Sequence, residues 1–165
     1  MNIRSSILAS VFAVVTVGQV IAGTPAENKA LVEGFVSVGN SRDYDRLGEF
    51  VSQDIVRHSQ ATPGLAVTNL DEFKAFMVAD VQVCPDSVVQ IHQIVAEGER
   101  VAVWATYTGT QTGTMGPFPP SGKKMVLDFG AFFRIDGGKI SELWVTWDNM
   151  AAMTQLGHYP PRVAE

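Results

Sequence analysis

Apolar residues recur along this chain first at helical spacing and then, beyond about residue 86, in strand-like runs. That change of period sets the expected architecture. Thr24-Pro25-Ala26-Glu27 reads as a helix start: threonine caps, proline fills the first turn and glutamate closes a capping box. Leu31, Phe35 and Val38 follow at helical spacing, and Gly39-Asn40 ends the segment. A second short helix is predicted from about Asp43 to Val51, with Tyr44, Leu47 and Val51 on one face. A third starts at Asn69, with Glu72 in the capping-box position and Phe73, Phe76 and Met77 apolar, until Cys84-Pro85-Asp86 breaks it. Ser87 to Ala96 then reads as a strand, turned by Glu97-Gly98-Glu99 into Arg100 to Thr110. A loop from Gly113 to Gly122 leads to Lys123 to Ile135, and Asp136-Gly137-Gly138 turns that strand into Lys139 to Met150. Helices followed by a meander of about four long strands predict an α+β fold, a curved antiparallel sheet with helices on its concave side.

Composition narrows the class. A chain of 165 residues, 46% hydrophobic and 18% charged, is an ordinary globular protein of one domain. A net charge of -5 argues against nucleic acid or an anionic membrane surface as partner. The first 22 residues read as an export signal: Arg4 supplies the positive start, Ile7 to Val17 the apolar run, and Val20-Ile21-Ala22 the cleavage site. The expected organisation is therefore a signal at 1–22, one domain at 24–157 and a tail at 158–165, in a protein secreted or delivered to a periplasm. Once the signal is cleaved, no membrane partner is expected. The lone Cys84 cannot form an intrachain disulfide and reads as a small buried apolar residue.

The last strand carries the candidate chemistry. If Lys139 to Met150 is extended, Ile140, Glu142, Trp144, Thr146, Asp148 and Met150 share one face. An aspartate late in so apolar a strand either sits at its wet end, the commoner case, or lines a pocket where desolvation makes it a proton carrier. Pairing residue 134 with 140 would set Val126 opposite Asp148 and bring Asp128 onto the same face, a diagonal carboxylate pair. A slip of one residue would dissolve it. Arg134 falls too far along the strand to join. His58, His92 and His158 lack metal-ligand spacing, so no metal site is expected, and only His58 is placed near a pocket. The loop Gly113 to Gly122, with Phe118 among its prolines, exceeds the usual hairpin length and suits a lid or a dimer contact. Trp104, Trp144 and Trp147 are core residues or pocket walls.

Taken in order, Gly109-Thr110-Gln111-Thr112-Gly113, Met115-Gly116, Pro119-Pro120-Ser121-Gly122-Lys123, Arg134 to Ile140, Glu142-Leu143-Trp144 with Asp148, and Gln155-Leu156-Gly157 resemble the SnoaL-like polyketide cyclases, also called ester cyclases. Asp54 to His58 and Pro85-Asp86 fit the same pattern, so the resemblance runs from about Glu27 to Gly157. It implies a cone-shaped fold of the nuclear transport factor 2-like (cystatin-like) type, frequently dimeric through its sheet. It also implies an aldol ring closure without a cofactor, run by an aspartate that maps onto Asp148. That acid would act on a small apolar carbonyl or ester compound, with His58 and Gln111 holding substrate oxygens. Trp144, Trp147, Asp128 and Phe118 would contact the substrate. This chain carries Gln111 and Leu143 where the family often has histidine. An epoxide hydrolase or dehydratase would instead need an aspartate pair with arginine, and a silent ligand-binding module would need neither.

Overall fold

The computed structural model describes residues 23–160. Helix α1 (Pro25–Ser41) starts at the expected capping box, where the Thr24 side chain accepts from Glu27 N and the Glu27 carboxylate accepts from Thr24 N. Val32, Phe35 and Val38 form its buried stripe. The predicted second helix is shorter: a 3-10 turn at Tyr44–Arg46 leads into one α-helical turn, α2 (Leu47–Phe50). Val51 then opens a strand, β1 (Val51–His58), which buries Val51, Ile55 and Arg57. Helix α3 (Leu70–Val83) is capped by Asn69, whose side chain accepts from Glu72 N.

Four long strands follow: β2 (Val88–Glu97), β3 (Arg100–Thr110), β4 (Lys124–Asp136) and β5 (Lys139–Trp147). Their order with β1 is β1-β5-β4-β3-β2. The meander is antiparallel as expected, but β1 joins β5 in parallel, so the sheet is mixed. The last strand also stops earlier than expected. Asp148 leaves the ladder and caps a fourth helix, α4 (Asn149–Leu156), with Gly157 in the left-handed conformation closing it.

Odd-numbered residues of β3, β4 and β5 face inward: Val103 and Ala105, Ala131 and Phe133, Leu143 and Val145. All of these but Ala105 meet Phe35 and Val38 of α1 and Phe73 of α3 in the main core. A second, smaller core gathers Cys84, Met125 and Leu127 against Ala152 and Leu156 of α4. Two amide side chains complete backbone pairing that no strand supplies. Asn40 both accepts from Val89 N and donates to Val89 O, at 2.9 Å each. Gln155 does the same at Val126, at 2.8 and 3.0 Å, where β5 has already ended.

Candidate active site

The inner face, α1 and α3 line a cavity of about 140 Å³. Its walls are mostly apolar, and its one carboxyl is that of Asp80. Asp80 follows Phe73 and Phe76 by seven and four residues, which sets it on the inward stripe of α3. Tyr107 of β3 lines the same cavity, and its hydroxyl donates to both carboxylate oxygens, at 3.2 and 3.1 Å. Burial pushes the Asp80 carboxyl above its ordinary value of 3.8, against the opposing pull of the Tyr107 hydroxyl, Arg42, Ser87 and Arg57. Burial, together with Asp80 and Cys84, also drives Tyr107 upward, so it stays a neutral donor.

The cavity rim is braced by Arg42, the left-handed residue that ends α1. Its guanidinium donates to Asn40 O at 2.6 Å, Pro85 O at 3.1 Å and Ser87 O at 2.5 Å, tying α1 to the turn before β2. Tyr44 closes another side, with its hydroxyl 3.5 Å from Met77 O and its acidity weakened by burial. A half-buried acid with a neutral hydroxyl on it and apolar walls around it is an arrangement for moving one proton.

The residues expected to form the site lie elsewhere. Asp148 is exposed, and its Oδ1 accepts from Ala151 N at 2.9 Å as the helix cap. Asp128 and Trp144 do share a face, as the alternation predicted, but it is the outer one. There Thr106 Oγ1 donates to Asp128 at 2.7 Å, and His58 stacks on Trp144 with centroids 4.9 Å apart. His58 Nε2 lies 3.9 Å from Glu142 on that surface, not in the cavity. A bulge between Arg134 and Ile135 shifts the hairpin, so Arg134 faces Glu142 and pairs with it at 3.0 Å. The carboxylates of Asp128 and Asp148 are thus held by different partners, and they do not form the aspartate–arginine set of an epoxide hydrolase.

Gln111 is fully buried but serves the loop: its Nε2 donates to Gly113 O and Pro119 O, and its Oε1 lies 2.8 Å from His158 Nε2. Phe118 packs on the His158 ring at 4.9 Å, so neither residue lines the cavity. The loop is pinned rather than poised as a lid, with Thr112 N and Gly113 N both bonded to Val83 O. Trp147 faces inward beside the second core and donates its indole N–H to Asn149. Leu143, where the family often has histidine, is a cavity wall. Among the described residues, no three His, Cys, Asp or Glu side chains converge as a metal site. Sequence reasoning passed over Asp80, although its helical spacing from Phe73 and Phe76 was the available signal.

A helix-covered, strongly curved mixed sheet with an acid inside its cone defines a small α+β protein of the nuclear transport factor 2-like type. The family model for SnoaL-like polyketide cyclases matches residues 29–156, and the chain belongs to that family. Among solved structures it is similar to AclR from Streptomyces galilaeus, at 28% identity and a TM-score of 0.71, covering 86% of this chain and 87% of that one. A SnoaL-like polyketide cyclase from Agrobacterium tumefaciens matches at 21% identity and TM-score 0.66, over 79% of this chain and 98% of the other. A Mycobacterium tuberculosis LEH-like epoxide hydrolase matches at 17% and 0.64, over 81% and 92%. No curated protein matches the chain.

Proposed function

We infer that this protein is a cyclase-type acid/base catalyst acting on a small apolar carbonyl or ester compound without a cofactor, and that Asp80 carries the proton. The observation that supports this is the Tyr107-bonded carboxyl inside the apolar cavity. Asp80 removes a proton alpha to a carbonyl, and the resulting enolate attacks a second carbonyl. One C–H bond breaks, one C–C bond forms, and the proton held by Asp80 passes to the new alkoxide. The raised pKa suits this exchange, because a carboxyl nearer neutrality both takes and returns the proton at working pH. Asp148, the acid favoured from the sequence, is left with the role of a helix cap.

The assay is deuterium uptake at the alpha carbon of β-keto esters and 1,3-diketones in D₂O, which reads proton removal even where no ring can close. The wild type exchanges above background, Asp80→Asn does not, and Asp148→Asn keeps the activity. Loss of exchange in Asp148→Asn alone would return the role to that residue. A second reading, a ligand-binding module without turnover, is favoured by the cavity's size. At about 140 Å³ it is below the roughly 300 Å³ at which enzyme pockets usually begin. Apolar ligand binding with no exchange by the wild type would establish it.

The outer sheet face exposes Trp104, Val126, Phe132 and Trp144 together, and homodimerisation through this face is part of the proposal. Light scattering of Trp104→Glu, monomeric against a dimeric wild type, tests it. The export signal lies outside the described residues. Export stays a proposal that rests on the sequence of residues 1–22, and the exact mass of the mature chain decides it.

A further inference from the structure

Arg57 is a buried cation without a counter-ion. Only 6% exposed, it sits on the inner face of β1 with Leu143, a residue of the cavity wall, as its register partner on β5. Its guanidinium carbon lies 4.4 Å from the Phe76 ring centroid and 5.9 Å from that of Trp147. Among the described residues no carboxylate forms an ion pair with it. Its one side-chain hydrogen bond there runs from Nη1 to Thr62 Oγ1, at 2.9 Å.

A buried charge is costly to keep unless an opposite charge or a full set of hydrogen bonds compensates it. Here burial works against the charged form, as the lowered pKa of Arg57 records. The only carboxylate that offsets this electrostatically is Asp80, which burial itself pushes toward its neutral form. Apart from the bond to Thr62, the guanidinium nitrogens, the fork that grips a carboxylate in two-point fashion, have no hydrogen-bond partner among the described residues. Those unused nitrogens are not sealed in: among the described residues, Ser59 Oγ is the only fully enclosed side-chain polar atom without a partner. Phe76 and Asp80 stand one turn apart on α3, so the cation and the acid address the same side of that helix.

We propose that Arg57 is an anion-binding subsite and that the ligand of this protein carries a carboxylate on a small apolar body. The body occupies the adjoining cavity, and the carboxylate supplies the charge Arg57 lacks. This deepens the function proposed above by naming its substrate class, and it rests on the cavity being the ligand site.

Thermal melts of the full chain with benzoate and hexanoate, against benzamide and hexanamide at matched ionic strength, test the subsite. The carboxylates raise the melting temperature in proportion to the logarithm of concentration, and the amides do not. Arg57→Met weakens the carboxylate response at least tenfold, and Arg57→Lys, a point charge without the fork, keeps part of it. Equal responses to acid and amide, no response of the wild type, or a folded Arg57→Met that responds like the wild type would each overturn the proposal. If Arg57→Met does not fold, the acid–amide contrast and Arg57→Lys still decide. Asp80→Asn separates the two readings. Carboxylate binding that persists while Asp80→Asn exchanges protons like the wild type sinks the acid assignment and leaves the subsite standing. Exchange that depends on Asp80 without any carboxylate response sinks only the subsite.

Discussion

Replacing Asp80 by asparagine makes the protein more stable near neutral pH, although the residue is the proposed catalyst. Asparagine has nearly the shape of a protonated aspartate, and its oxygen still accepts from the Tyr107 hydroxyl. The difference lies in titration. Because burial raises the Asp80 pKa, the native state holds this proton more tightly than the unfolded chain does. Its contribution to stability is present below the ordinary value of 3.8 and is lost as pH rises through the raised folded value. Each tenfold gain in native proton affinity is worth about 1.4 kcal/mol of that loss. For a domain of this size, 1 kcal/mol moves the melting temperature by about 3–5 °C. Carboxylates with lowered pKa values, Glu27, Glu72 and Asp86 among them, impose the opposite trend on both proteins, and it cancels in the difference. Melting curves from pH 4 to 8.5 should therefore show the Asn variant gaining on the wild type through the window above 3.8 and then holding a constant lead. A difference that stays flat, or that turns against Asn as pH rises, would mean that Arg42 and Arg57 already stabilise the carboxylate, and the desolvation argument would fail.

Tyr107→Phe removes the hydrogen bond that opposes burial at Asp80, so the acidic limb of the proton-exchange profile moves to higher pH. Asp148→Ala costs about 1 kcal/mol through loss of the α4 cap, while Asp148→Asn stays within a few tenths, both read by urea unfolding. Gln111→Ala leaves the Gly113 and Pro119 carbonyls without their donor and costs roughly 2–3 kcal/mol, with faster limited proteolysis between residues 113 and 122. Gly113→Ala drives a methyl group into the Gln82 carbonyl, a clash with backbone that cannot give, and destabilises by roughly 3 kcal/mol or more in the same assay.

The architecture was legible because local signals agreed with one another. The capping box at Thr24, the Asn69 cap and the turn at Gly137-Gly138 lie where local chemistry places them. Alternation also grouped Trp144 and Asp128 on one face. It did not say which face was inner, because Trp104, Val126, Phe132 and Trp144 make the outer face apolar as well. That ambiguity left open whether Asp128 and Trp144 line the cavity, and both lie outside it. Asp148 was expected within the strand for a second reason: a capping aspartate just past a strand has the same local appearance as the strand's last residue. Asp80 was hidden by the opposite bias, since a charged residue late in a helix ordinarily faces water. Only the sheet crossing beneath α3, with Tyr107 in reach, distinguishes it.

Packing in two separate clusters bears on how evenly the molecule resists local opening. The C-terminal helix rests on the smaller cluster of Cys84, Met125 and Leu127 and is tied to Val126 by Gln155, and Tyr107 and Trp147 border that cluster. A transient lifting of this helix costs less than global unfolding, so the second cluster breathes while Val32, Phe35 and Phe133 stay closed. Amide exchange at Ala152 and Leu156 then outpaces that of the main core.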